Sequence, residues 1–290
     1  ESSRSGPRES AGWGLMNAPP PCFEPKIGTY RNVAEAEYRK WPLPSQSQFK
    51  AGRASMAHMK AAMEAGDSAP TDAKRLGSAL HVAFLEPELM LEKVVKWEGA
   101  ARRGAEWTAF AAEHAHQTIL TAPQHAQMVG MVRSLRAHPF VKAWQSKSQD
   151  VEVSAIGEYC GVLCKGRCDA LTPDPLVDVK KVRSGDLRTF TSDILKYGYH
   201  MQAALYRRLF DRERFVLVAV EDRAPYDVVP YELSPSMLKL GDEQLQALVF
   251  GYRECLRTGE WPGRSSEIVM VEPPEWAMPD VSIIYDEEAE

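Results

Sequence analysis

Apolar residues recur at helical spacing through the first half of the chain and change to a period of two near residue 150. Phe49, Met56, Met59 and Met63 follow Ser45 and Ser47, either of which suits an N-cap, so a helical stretch is expected to open there. A loop is predicted over 66–70. The next helix, 71–85, has Thr71 or Asp72 at the capping position, Leu76, Leu80, Ala83 and Phe84 on one face, and Pro87 to end it. Two more helices are predicted at about 103–116 and 122–135, the second with Pro123 in its first turn. From Asp150 the apolar Val151, Val153 and Ala155 alternate with Glu152 and Ser154; Cys160 and Gly161 form a turn, and 162–171 reads as the returning strand. Thr172-Pro173-Asp174-Pro175 is a second turn signal, and Leu176-Val177-Asp178-Val179-Lys180 a third strand, which completes a meander. One helix is then expected over 192–210, strands over 215–220 and 227–233, and a last helix capped by Ser234-Pro235 and stopped by Gly259. The expected fold is a mixed α/β core with a helical N-terminal half.

Residues 1–29 are rich in Ser, Gly and Pro, include Pro19-Pro20-Pro21, and are expected to be disordered or extended; the part before Met16 is set aside from fold reasoning. A single domain is expected over 30–264. With 290 residues, 44% hydrophobic and 26% charged, the chain can bury a sizeable core. It has no run near the roughly 20 apolar residues of a membrane span and no secretory start, so no membrane association and a cytoplasmic setting are expected. Cys22, Cys160, Cys164, Cys168 and Cys255 are an odd set in a long chain and do not read as a disulfide framework.

The formal net charge is -5, which is unpromising for contact with a polyanion. Its distribution changes the picture. No Lys or Arg follows Arg264, whereas Glu267, Glu272, Glu275, Asp280, Asp286, Glu287, Glu288 and Glu290 do; without these eight acids, 32 acids face 35 bases and the body carries +3. The acidic tail, 265–290, reads equally well as a solubilising end and as a partner-binding or DNA-mimicking segment.

The chemistry is concentrated at Asp169 and Asp178-Val179-Lys180. Strand alternation puts Asp178 and Lys180 on one face, and Asp169 lies near the end of the neighbouring antiparallel strand. Two carboxylates and an ammonium can therefore converge, which suits a hard cation such as Mg²⁺ and a water attacking a phosphodiester. An Asp-x-Lys tripeptide alone is far more often a solvated strand face.

Its context narrows the reading. Gly166-Arg167-Cys168-Asp169-Ala170, the Pro-rich turn and Leu176-Val177-Asp178-Val179-Lys180 resemble the second and third motifs of PD-(D/E)XK nucleases. Gln202 and Tyr206, in Tyr199-His200-Met201-Gln202-Ala203-Ala204-Leu205-Tyr206, resemble the Gln-x-x-x-Tyr motif of RecB-like and RecE-like members, and share one helical face. Gly77-Ser78-Ala79-Leu80-His81 resembles the family's Gly-x-x-x-His helix. The resemblance implies a restriction-endonuclease-like core in which Asp169, Asp178, the Val179 carbonyl and His81 hold metal, with Glu152 assisting. It also implies that Lys180 assists the nucleophile, with Gln202 and Tyr206 beside it. Cys168 stands where the family often has Pro, and Lys181 where Thr or Ser is common.

Within that group the chain most resembles the RecE-like, exonuclease VIII family. This implies a Mg²⁺-dependent (or Mn²⁺-dependent) 5′-to-3′ exodeoxyribonuclease that acts on double-stranded DNA ends, works with a RecT-like annealing protein, and assembles as a ring, a tetramer before a trimer. RecB-like or CRISPR-associated single-strand or flap nucleases, and an inactive DNA-binding or inhibitor protein, are the alternatives. Cluster-bearing relatives group three Cys after the Gln-x-x-x-Tyr helix; here only Cys255 lies there, so no iron–sulfur cluster is expected. The absence of a Walker-type motif argues against ATP use. Candidate phosphate contacts are Lys50 and Arg53, and Lys165, Arg167, Lys181, Arg183 and Arg188 around the motif strands, although surface charge explains any one of them as well. Trp41 and Trp107 suit base stacking or core packing.

Overall fold

The computed structural model describes residues 24–65, 70–147 and 150–278. Residues 66–69 of the predicted 66–70 loop, much of the N-terminal segment and residues 279–290 of the acidic tail lie outside these. In chain order the elements begin with β1 (Gly28–Tyr30), α1 (Glu35–Lys40), α2 (Gln46–Gly52), α3 (Met56–Glu64) and α4 (Asp72–Leu85). They continue with α5 (Met90–Lys93), β2 (Val94–Trp97), α6 (Gly104–Glu113), β3 (Thr118–Thr121), α7 (Ala122–Ala137) and α8 (Pro139–Gln145). The second half comprises β4 (Asp150–Tyr159), β5 (Val162–Leu171), β6 (Leu176–Val182), α9 (Leu187–Tyr197), α10 (Tyr199–Phe210), β7 (Phe215–Glu221), β8 (Val228–Glu232) and α11 (Pro235–Thr258).

Capping chemistry sets most boundaries. Ser45 with Gln48, and Thr121 with Gln124, form capping boxes at α2 and α7, and Ser234 caps α11, which Gly259 ends in a left-handed conformation. Two expected helices are each divided. The stretch opening at Ser45 breaks after Gly52, and Ser55 caps a new helix by accepting from the His58 amide. The helix expected over 192–210 begins earlier, at Leu187 behind the Asp186 cap, and is interrupted by Gly198 at φ 71°. The short β1, β2 and β3, and helices α1 and α8, have too few residues to show a period.

The main sheet has the order β1-β4-β5-β6-β7-β8; it is antiparallel except for the parallel β6–β7 pair, and β2–β3 form a separate parallel pair. Helices cover both faces. On one face Leu80, Phe84, Met131 and Leu135 of α4 and α7 pack on Val177, Val179, Val216 and Val218. On the other, Phe190, Ile194 and Ala203 of α9 and α10 pack on Val153, Leu176 and Leu217, and Phe49, Leu205, Leu245 and Tyr252 join α2, α10 and α11.

One junction of this sheet is open. The β4–β5 ladder runs nearly the full strand length, but β5 and β6 register only at Ala170 with Val177. Each leaf, β1-β4-β5 and β6-β7-β8, is well paired internally, and the opening between them lies beside Asp169 and Asp178.

Candidate functional site

Asp169 and Asp178 stand at the next position past the Ala170–Val177 rung, one on each leaf. Where a strand carbonyl would have continued the ladder, the Asp169 carboxylate accepts from the Val179 amide at 2.6 Å. The backbone donor of the opened sheet is thus satisfied by a side chain of the site.

Helices from both layers reach this opening. From α4, His81 Nδ1 lies 3.5 Å from Asp169 Oδ1 and 3.9 Å from Glu152 Oε1, with Nε2 3.2 Å from the Val179 carbonyl. From α10, Gln202 Nε2 donates to Asp178 Oδ1 at 2.7 Å, and Lys180 Nζ lies 2.6 Å from Asp178 Oδ2 and 4.8 Å from the centre of the Tyr199 ring. Glu152 adopts φ 50°, a left-handed conformation unusual for a residue inside a strand and costing on the order of 1–3 kcal/mol. That backbone carries its carboxylate beside His81, while Arg167 Nη1 approaches it at 3.9 Å.

Tyr206 serves the same helix differently. Its ring fits over Gly166 of β5, where an added Cβ would come within 2.9 Å of Tyr206 and 2.8 Å of Leu209. The close approach of α10 to β5 therefore requires glycine there, and it fixes the height at which Gln202 meets Asp178. Burial raises the Tyr206 hydroxyl well above its ordinary pKa, so it stays un-ionised.

The electrostatics describe a site short of positive charge. Burial, then the neighbouring Asp178, raises Asp169 from 3.8 to about 7, against the pull of His81. Burial disfavours a charged His81, but Asp169 and Glu152 outweigh it and raise the imidazole from 6.5 to about 9. Lys180 is also raised: burial opposes its charge, and Asp178 and Asp169 more than compensate.

The donor set fits a divalent cation. One ligand atom each from His81, Glu152 and Asp169 lies within 4.8 Å of the others, and Asp178 Oδ2 is a buried oxygen without a properly directed hydrogen bond despite its close ammonium. Mostly carboxylate oxygen with one imidazole suits a hard cation. His81, Glu152, Asp169, Asp178 and the Val179 carbonyl are the groups that would hold it.

Other sequence candidates fall elsewhere. Lys165 is buried and donates to the carbonyls of Tyr38, Arg39 and Trp41 at 2.7–3.1 Å, closing the end of α1 rather than facing a ligand. Arg167 stacks over Tyr38 and donates to Ser154 Oγ and the Val33 carbonyl. Arg53 caps the end of α9 through the Leu195 and Lys196 carbonyls, and Lys181 pairs with Asp222 at 3.2 Å. Arg183 and Arg188 are exposed, and Lys50 lies near Lys180: burial, then the charges of Lys180, Lys74 and Arg53, lower its pKa. Lys74, absent from the sequence candidates, is one α4 stripe with Ser78 and His81, which a helical projection shows once His81 is placed.

Trp41 is buried, and Trp107 packs edge-on against Trp97. Cys164, Cys168 and Cys255 are buried free thiols, and burial raises the first two well above their ordinary range. Cys22 lies outside the described residues.

Comparison with known proteins agrees with this architecture. The family described as PDDEXK-like domain of unknown function (DUF3799) matches residues 45–273, and the chain belongs to that family. It is a PDDEXK-like domain. A solved structure described as "Putative exonuclease" from Eubacterium rectale superposes with a TM-score of 0.59 at 14% identity, over 85% of this chain and 97% of that one, a likeness of fold. LHK-Exo in complex with dAMP matches with a TM-score of 0.27 at 17% identity, over 64% of this chain and 92% of that one. A search of curated proteins finds no match. No helix among the described residues is long and apolar enough to cross a membrane.

Proposed function

We propose that the protein is a Mg²⁺-dependent exodeoxyribonuclease that degrades linear double-stranded DNA from its ends, 5′ to 3′, and leaves a 3′ strand for a RecT-like annealing protein in the cytoplasm. The observation that carries the nuclease reading is the meeting of His81, Glu152 and Asp169 with Asp178 and Lys180 at the one open junction of the sheet. A bound divalent cation would supply a polarised water and neutralise phosphate charge. Lys180 is fixed by Asp178 and can orient that water and stabilise charge developing on the phosphoryl oxygens. Gln202 holds Asp178 from behind. Lys50 and Lys74 favour a phosphate next to the cleaved one, with Arg183 and Arg188 further along the strand.

Action at duplex ends, polarity, the annealing partner and a tetrameric ring extend this reading through the resemblance to RecE-like exonucleases. The test is cleavage of end-labelled duplex DNA, with Mg²⁺ or chelator, and with or without a 5′-phosphate. Release of label first from the phosphorylated 5′ end, only with Mg²⁺, is expected. Preferential cutting of single strands or flaps would favour the RecB-like alternative, and no cleavage under any condition would leave an inactive binding protein.

A further inference from the structure

Three aromatic rings step from the core to the surface beside the Asp-x-Lys strand. Phe190 is buried, with its centre 6.5 Å from that of Tyr199, and Tyr199 lies 5.8 Å from Tyr197 at an interplanar angle of 32°. The middle ring is half-buried and meets Lys180, whose Nζ is 4.8 Å from its centre. The outer ring, Tyr197, is 40% exposed. One exposed ring is ordinary on a protein surface. The backbone that carries this one is held unusually well: at the end of α9, Arg53 Nη1 donates to the Leu195 and Lys196 carbonyls at 2.8 and 3.2 Å, and Gln46 Nε2 to the Gly198 carbonyl at 3.0 Å. Gly198 turns the chain at φ 71°, where an added Cβ would come within 2.9 Å of Met201. The corner between α9 and α10 is thus clamped by α2, and Tyr197 and Tyr199 flank it.

The surroundings of this corner are cationic. Lys196 Nζ lies 5.3 Å from the centre of the Tyr197 ring. The Lys50 stem passes Gly198, 3.5 Å from where a Cβ would stand, and its ammonium shares its surroundings with Lys180, Lys74 and Arg53. Among the described residues Lys50, Lys74 and Lys196 form no ion pair, and Asp193, one turn earlier on α9, is the acid near Tyr199. A rigidly carried ring with unpaired lysines on either side is the arrangement that holds an unpaired nucleotide strand: a base stacks on the ring while the ammoniums take the phosphates. Inside a duplex both faces of every base are occupied by its neighbours, so the ring suits a base that has left the stack.

We propose that Tyr197 is a stacking platform for the unpaired base of a nucleotide adjoining the phosphate at Lys180, with Lys196 turning from the ring to that nucleotide's phosphate. Tyr199 spaces the platform from Lys180 and does not itself stack on the base. Every base has a π-face, so the platform registers that a base is present and unpaired, and carries no sequence preference. The inference rests on the proposed action on DNA, and adds that the strand end is separated from its complement before it is cut.

Fluorescence anisotropy with labelled, 5′-phosphorylated duplex DNA tests it, in Ca²⁺ in place of Mg²⁺ so that binding is read apart from cleavage. The probes are the intact duplex and a set in which one nucleotide near the end is an abasic tetrahydrofuran. The proteins are wild type, Tyr197→Ala and Tyr197→Phe; the position is exposed, and an unchanged Tm is expected for both variants. Wild type is expected to bind one abasic probe about tenfold more weakly than the intact duplex. Tyr197→Ala should bind the intact duplex weaker by that same factor and lose nothing further on the abasic probe, and Tyr197→Phe, which keeps the ring, should match wild type. An equal loss on intact and abasic DNA in Tyr197→Ala would make the residue a backbone contact or a buttress, and a loss in Tyr197→Phe would give the role to the hydroxyl; either overturns the platform. Cleavage in Mg²⁺ separates this from the nuclease reading. Base-dependent binding without cleavage would sink that reading and keep the platform, cleavage with binding indifferent to every missing base would do the reverse, and no binding of DNA would sink both.

Discussion

Gln202 Nε2 and Asp178 Oδ1 meet at 2.7 Å, and this hydrogen bond ties the α10 helix to the acid of the Asp-x-Lys strand. Asp178 is buried, with its other oxygen facing Lys180. The amide therefore leaves one carboxylate oxygen for ligation and orients it, the supporting role that usually costs ~10- to 100-fold in metal affinity or activity when removed. Gln202→Leu is expected to lower both by about that factor. Isothermal titration with Mn²⁺ beside single-turnover cleavage checks it; wild-type values in both would show that the bond only packs the helix.

Asp178→Ala and Lys180→Ala are both expected to abolish cleavage, by at least ~10²-fold. They should differ in metal binding. Asp178→Ala removes a ligand, whereas Lys180→Ala removes a competing ammonium 2.6 Å from that carboxylate and leaves the donor set intact. Retained Mn²⁺ affinity in Lys180→Ala, with lost turnover, is the result to look for.

Without metal, Asp169 and His81 make stability depend on pH in one direction. Both pKa values are raised on folding, from 3.8 to about 7 and from 6.5 to about 9, so the folded protein holds more protons. Their contribution is complete below about pH 4 for Asp169 and about pH 6.5 for His81, and is lost as the pH rises through about 7 and about 9. In chelator, the Tm of wild type should fall between pH 5 and 9 more steeply than that of Asp169→Asn/His81→Gln. Mn²⁺ should raise the wild-type Tm most at the alkaline end, where the ligands are deprotonated. Parallel curves for the two proteins in chelator would contradict this.

Lys165→Met is expected to destabilise the fold by about 3 kcal/mol, because three backbone carbonyls lose a charged donor. Urea unfolding measures it. Cleavage per folded molecule should be unchanged, which would distinguish Lys165 from a DNA contact.

Gly166→Ala should cost more than its single methyl suggests. The new Cβ meets Tyr206 and Leu209 at less than 3 Å, so α10 must lift off β5 and draw Gln202 from Asp178. Unfolding at lower urea and a lower Mn²⁺ affinity should appear together, and Gly166→Ala/Tyr206→Leu should recover part of both.

How much of this was legible depended on whether the information was local. Asp169, Asp178 and Lys180 could be placed because alternation and a Pro-rich turn fix their strands within a dozen residues. His81 and Gln202 needed the family resemblance, since they come from helices in different layers and no periodicity predicts where those meet. Gly198 was hidden inside an apolar helical pattern; a single glycine is compatible with a helix until its φ of 71° is seen. Lys165 and Arg167 read as candidate phosphate contacts because burial of a cation is decided by remote carbonyls, those of Tyr38 and Val33 among them. The tail reads as acidic in sequence, because its eight acids without a base outweigh the short apolar run Ile268–Val271.

The single rung between β5 and β6 makes the candidate site a seam. Asp169 and Glu152 belong to one side of it, Asp178 and Lys180 to the other, and the Val179 amide is held across it by a side chain alone. A cation there would act as a stitch, joining two leaves that the backbone ladder leaves nearly unconnected. The part of the sheet expected to breathe most without metal is therefore its middle, at Val179, and slow amide exchange at that residue would report how firmly the seam is sewn.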